Sequence, residues 1–267
     1  VVMNLNGGIL EARGLCSPSD LSLNGALSDY LYGVNEIRVG NGGAVIDTLT
    51  NALAIKQALT PAANDGGLTK LGAGSLALSN SVALTGPVTV SNGTLRAHFT
   101  QTNNVFLAKN GVFDAGLSSL LGKPALFRNV AGSGTFSNGT LSVIGTLSPG
   151  DLAGQAGTLF SSNLTLNAGM TLRYDWTAQT NDLFSVSGML SSQGPGTIDF
   201  GRESGNEIPI PFTAVLGTYG TFSGTFGGWK AINTGLPSRV AVSATVTAQN
   251  GVVRIAVKYS GLVLLLR

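Results

Sequence analysis

Apolar and small polar residues alternate along nearly the whole chain in runs of four to seven positions, and each run stops at a glycine-containing pair such as Asn-Gly, Gly-Gly or Ser-Gly. A period of two is the mark of a half-buried strand, and pairs of this kind supply the turns between strands. Helical spacing is almost absent. Residues 49–64, LTNALAIKQALTPAAN, read ambiguously between β-like segments, and there we expect one short helix or turn at most.

The punctuation recurs in one local form. LNGGILEA (5–12), GNGGAVID (40–47), LGAGSLAL (71–78), VSNGTLRA (90–97), AKNGVFDA (108–115), FSNGTLSV (136–143) and LNAGMTLR (166–173) each join a glycine-ended turn to a short strand. Gly74, Gly93 and Gly111 fall 19 and 18 residues apart, and one coil of three short strands and three turns uses about 20 residues. A β-sandwich also has short strands and regular turns, but it has no reason to reuse one phrase seven times. The expected fold class is therefore all-β, a right-handed parallel β-helix (β-solenoid) of about 13 coils on the order of 60 Å long. Leu76 and Leu78 point into the stacked core on this reading, while Lys70 is expected at the solvated flank of its coil.

The last quarter changes character. GRESGNEIPIPF (201–212) reads as a junction, which divides the chain into a solenoid over 1–206 and a C-terminal β cap with a terminal strand over 207–267. Two alternating strands flank Asn250-Gly251 in RVAVSATVTAQNGVVRIAVKY (239–259), a hairpin signal. We expect an antiparallel hairpin cap, because an open last coil would offer unpaired backbone groups to any passing strand. The final GLVLLLR has no polar alternation, so Leu262, Val263, Leu264, Leu265 and Leu266 are expected to be buried on both faces. They either lie under the cap or join another copy head to tail, a contact that builds a filament when the rotation does not close.

Composition narrows the function. Charged residues make up 10% of the chain, against about 25% in an ordinary domain. With 15 basic and 13 acidic side chains the net charge is +2 and no basic cluster stands out, which excludes nucleic acid as an electrostatic partner. Cys16 is the sole cysteine, so no intrachain disulfide forms. The longest apolar run is far shorter than the ~18 residues of a membrane helix. A start at Val1 suggests a processed form or a fragment whose targeting segment is gone.

Candidate chemistry is sparse, and we expect no enzymatic activity, no cofactor and no metal. Polysaccharide-cleaving β-helices need clustered carboxylates, whereas the acids here are scattered singly, with Asp47, Asp114 and Asp175 near strand ends. A Ser-His-Asp device would have to run through His98, the only histidine, and no Gly-x-Ser-x-Gly elbow accompanies it. In GGLTKLGAGSLALSN (66–80) Lys70 precedes the glycine turn and a strand follows, so this is no phosphate loop. The alternative to a purely structural role is an adhesin or glycan-binding module. Tyr30, Tyr32, Tyr174, Trp176 and Trp229 are its candidate sugar contacts, provided that several of these rings form one exposed row.

GGLTKLGAGSLALSNSVALTGPVTVSNGTLRA, residues 66–97, closely resembles the autotransporter-associated β-strand repeat. That signature runs Gly-Leu-x-Lys-x-Gly-x-Gly-x-Leu-x-Leu and closes on a second x-Gly-Thr-Leu strand. Residues 145–190 are similar to the segment that follows such repeats in large bacterial surface proteins, with its Pro-Gly turn, its Ala-Gly-Thr-Leu strand and its Asn-Asp-x-x-x-Val-x-Gly step. The resemblance implies a secreted, extracellular or surface-displayed solenoid of the autotransporter-passenger type, acting as spacer, adhesive passenger or filament subunit. It also implies a C-terminal membrane barrel, of which this sequence has none, so the barrel is expected either to have been removed or to be replaced by another export route.

Overall fold

The computed structural model describes residues 1–13, 29–150, 156–175, 181–201, 211–232 and 242–260. Cys16, Trp176 and the segment containing Leu262, Val263, Leu264, Leu265 and Leu266 lie outside these residues.

The chain runs as a succession of layers. The first holds β1 (Val2–Leu5) and β2 (Ile9–Glu11), the second β3 (Glu36–Val39), β4 (Ala44–Asp47) and β5 (Ala52–Ile55). The third holds β6 (Leu59–Pro61), β7 (Leu68–Leu71) and β8 (Ser75–Leu78), and the fourth β9 (Val88–Val90) and β10 (Gly93–Arg96). Next come β11 (Asn104–Leu107) and β12 (Gly111–Asp114), then the short helix α1 (Gly116–Leu120). The sixth layer is β13 (Ala125–Phe127), β14 (Asn129–Gly132) and β15 (Thr135–Val143). Three two-strand layers follow: β16 (Thr146–Pro149) with β17 (Thr158–Leu166), β18 (Thr171–Asp175) with β19 (Leu183–Ser192), and β20 (Thr197–Gly201) with β21 (Phe212–Gly224). The chain closes with β22 (Lys230–Ile232), β23 (Val242–Gln249) and β24 (Val252–Tyr259).

Each layer pairs in parallel with the next. One ten-stranded sheet runs β2-β4-β7-β9-β11-β14-β16-β18-β20-β22, and a second runs from β5 through β8, β10, β12, β15, β17 and β19 to β21. A third, three-stranded sheet runs β1-β3-β6, and an isolated parallel bridge joins Val82 to Phe99. This is the arrangement of a parallel β-helix, as the repeated turn-strand phrase leads one to expect. The ten-stranded sheet counts ten layers among the described residues, not 13. The steps from Leu76 to Leu95 and on to Phe113 keep the short spacing, but Leu172 to Ile198 is a longer one, so fewer coils use up the chain.

From β15 onward one strand serves two faces. Its first residues pair with β12 and its last three with β13, with a register shift between Phe136 and Thr140 where Asn138 takes φ 58°. Such a bulge bends the strand through the corner without a separate turn. The same shift recurs in β17 and β19.

The core consists of inward columns. Leu53, Leu76, Leu95, Phe113 and Phe136 stack in register and are all buried. The Phe113 and Phe136 rings lie 5.2 Å apart and nearly parallel. Full burial of each such side chain contributes about 1.5–3 kcal/mol. Leu76 and Leu78 are inside, as expected. Residues 49–64 hold β5 and β6 and no helix, because Leu53 and Ile55 are claimed by Leu76 and Leu78 of the next layer. Beyond β21 the order turns antiparallel: β24 pairs with β21 and β23 with β24, and Asn250 and Gly251 both take positive φ as a two-residue hairpin turn demands. No described helix is long and apolar enough to cross a membrane.

Candidate functional site

The most developed polar arrangement is centred on Lys70. Its neighbours in register are Ile46 before it, then Val90 and Leu107, so a lysine occupies an inward column otherwise filled by branched apolar residues. It is fully buried, contrary to the solvated position expected from the sequence. The reason is the strand's phase: Leu68 and Lys70 are two residues apart and share the inner face. The aliphatic stem fills core space while the amine reaches the corner of the coil. There Nζ donates to the carbonyls of Leu71 (2.8 Å) and Gly72 (2.8 Å) in its own layer and Asn92 (3.0 Å) in the next. Three acceptors match the three protons of an ammonium. Burial pulls the amine down to about 8, and the nearby Asp47 carboxylate opposes that shift.

The glycines of the signature make this corner possible. Gly72 has φ +78°, and a Cβ there would stand 2.4 Å from both Asp47 Oδ1 and Leu49 N. A Cβ on Gly74 would stand 2.0 Å from Asn51 O. These are demands of close approach between layers and not of a bound phosphate.

A second corner is built from the acid that precedes the signature. Asp65 Oδ1 accepts the amides of Gly67 (2.9 Å) and Gly86 (3.0 Å), and Oδ2 accepts the amide (2.8 Å) and hydroxyl (2.6 Å) of Thr85. Burial raises its pKa, but the hydrogen bonds from Thr85, Gly86 and Gly67 together outweigh it and hold the carboxyl below its ordinary range. Asn103, one layer further, donates from Nδ2 to Leu84 O (2.8 Å) and Gly86 O (2.7 Å). Gly86 is thus gripped by its amide from one side and its carbonyl from the other.

The three aspartates at strand ends are not brought together. Asp47 caps its own turn at Leu49 N (2.8 Å), and Asp114 accepts Gly116 N (2.8 Å) and Asn138 Nδ2 (3.0 Å) beside Arg96. Asp175 lies 3.7 Å from Arg173 and instead meets Asp182, the acid of the Asn-Asp-x-x-x-Val-x-Gly step. Asp182 is fully buried and accepts the amides of Gly157 (2.9 Å) and Asp175 (2.9 Å), tying two layers. Burial pushes its pKa up to about 7; the two amides and Arg173 pull it down, and Asp175 adds to the rise. Beside it the buried Tyr174 hydroxyl donates to Val215 O and accepts from Asn181 Nδ2.

A folded-state pKa above the unfolded value means that the native state takes up this proton first. Stability contributed at Asp182 therefore falls as pH rises from about 4 to about 7 and is level above that. Asp182→Asn removes the titration, so the variant should gain on the wild type by about 2–4 kcal/mol across this interval. Urea melts at pH 4, 5.5 and 7 measure it, and a difference independent of pH would contradict it.

His98 and Ser118 do meet, with 2.8 Å between Nδ1 and Oγ, but both are buried. Burial, then the Lys123 charge, lowers the imidazole pKa. Of the aromatic candidates, Tyr174 and Trp229 are buried, the latter donating Nε1–H to Gly194 O (2.9 Å). Tyr30 is half-buried and donates to Glu11 O (3.2 Å), while Tyr32 is 92% exposed. Trp176 lies outside the described residues.

The passenger-associated-transport-repeat family matches residues 68–97, which comprise β7, β8, β9 and β10 with the Lys70 corner at their centre. No curated protein matches the chain. The burial of Lys70 and the stacked glycines explain physically why such a repeat is written with these residues. The chain carries an autotransporter passenger-associated repeat, within a parallel β-helical array.

Proposed function

We propose that the chain is a secreted, surface-displayed structural β-helix of right-handed sense, closed at its C-terminal end by the β23–β24 hairpin and without enzymatic activity. The observation that carries this reading is where its buried polar side chains are committed. Lys70, Asp65 and Asn103 all bind backbone groups of their own and adjacent layers. Such groups hold layers together and present nothing to a substrate. The passenger-associated repeat supports a surface address, and the low charge and Ser/Thr/Asn-rich exterior suit a scaffold for display.

Protease shaving of intact native cells tests it. The chain should be released or degraded while a periplasmic marker stays intact; full protection until lysis would overturn the surface assignment. Incubation with pectin and related glycans, with and without calcium, should release no reducing ends.

A further inference from the structure

A groove of about 590 Å³ crosses the outer side of the second sheet where the β12, β15 and β17 layers meet. It is lined by Lys109, Asn110, Ser133, Thr135, Thr158 and Phe160. Thr135, Phe160, Ser185 and Thr218 form one outward column across successive layers. Phe160 interrupts this hydroxyl row with a ring that is 47% exposed, and it stacks on no other ring among the described residues. Lys109 stands exposed at the rim, with no acidic side chain within salt-bridge distance among the described residues. Gly157 in the same lining donates its amide to Asp182 Oδ1 (2.9 Å).

We infer that this groove binds an acidic carbohydrate, with Phe160 stacking on the apolar face of a sugar ring, Asn110, Thr135 and Thr158 bonding its hydroxyls, and Lys109 meeting its carboxylate. The lining is what a sugar requires and a peptide does not. Strands β12, β15 and β17 are paired on both sides, so no backbone edge is open for an added strand. Among the described residues the lining is one ring amid hydroxyl and amide groups, the mixture that grips a sugar ring with one apolar face and polar edges. Successive layers repeat the outward row every ~4.8 Å, so a linear glycan laid across the strands meets an equivalent position at each layer. This deepens the proposed surface role and rests on it for biological sense, but it is measured on the soluble chain, so its failure leaves the shaving result untouched.

Titration of the purified chain with polygalacturonate, hyaluronate, a sialylated oligosaccharide and neutral dextran tests it, using wild type, Phe160→Ala, Lys109→Gln and, as a control remote in sequence, the exposed Ile9→Ala. At least one acidic glycan should bind. Phe160→Ala should weaken that binding about tenfold or more, Lys109→Gln should abolish the preference over dextran, and Ile9→Ala should change nothing. All four proteins should share one melting temperature, since these side chains are exposed. Absence of binding to every acidic probe at millimolar sugar overturns the inference, as does binding that Phe160→Ala and Lys109→Gln leave unaltered.

Discussion

Lys70→Met should lower the unfolding free energy by about 2–4 kcal/mol, although methionine matches the lysine stem in length and apolar character. The side chain is fully buried, so methionine keeps the column between Ile46 and Val90 filled and the core intact. What disappears is the ammonium. The Leu71 carbonyl retains Thr48, whose amide and hydroxyl both reach it at 3.1 Å. The Gly72 and Asn92 carbonyls have Lys70 as their donor, and they would be left without one at a partly buried corner. Each buried polar group stranded in this way costs about 1–3 kcal/mol. Relief from holding a buried charge offsets part of that, which is why the net stays below the sum. Denaturant unfolding followed by circular dichroism measures the change. A variant as stable as the wild type, or more so, would show that the lysine is tolerated and not required.

Gly93→Val should be more severe, at about 4 kcal/mol or more. Gly93 takes φ +67°, and its missing Cβ would lie 2.2 Å from Gly74 O and 2.6 Å from Gly72 O. Both obstacles are backbone atoms of the preceding layer, so no rotamer change relieves them. A β-branched residue in the left-handed region adds its own strain. Gly8 provides the contrast: its φ lies outside the left-handed region and a Cβ there would meet no atom within 4 Å, so Gly8→Ala should lie within about 0.5 kcal/mol of wild type. Equal effects of the two substitutions would contradict the argument from close approach.

The architecture is legible in the sequence because its cause is local and repeated. Each glycine-ended phrase fixes one corner, and the spacing of Gly74, Gly93 and Gly111 is the spacing at which Leu76, Leu95 and Phe113 stack. The position of Lys70 differs from expectation although its cue is present. The alternation that sends Leu76 and Leu78 inward sends Leu68 and Lys70 inward too, but the hydration of a charge argues for solvent. The three carbonyls that replace that hydration come from two layers, and no local pattern announces them. Phe160 carries a similar cue in its phase, since it follows the inward Leu159 and must therefore face out, whereas a search confined to tyrosine and tryptophan passes over it. The meeting of Asp182 with Asp175, and of His98 with Ser118, is not readable from sequence. Both depend on how the chain returns to a corner across segments whose lengths obey no repeat.

The merging of two faces into one strand from β15 onward bears on how this stack would yield to a pull along its axis. Early layers change direction at discrete turns, and each turn is a point where a layer can be peeled off singly. Later layers are continuous through the corner, with parallel pairing on both arms of one strand. Detaching such a layer means breaking both arms together. Mechanical compliance therefore belongs to the glycine-cornered N-terminal layers, and resistance to tension belongs to the bulged C-terminal ones.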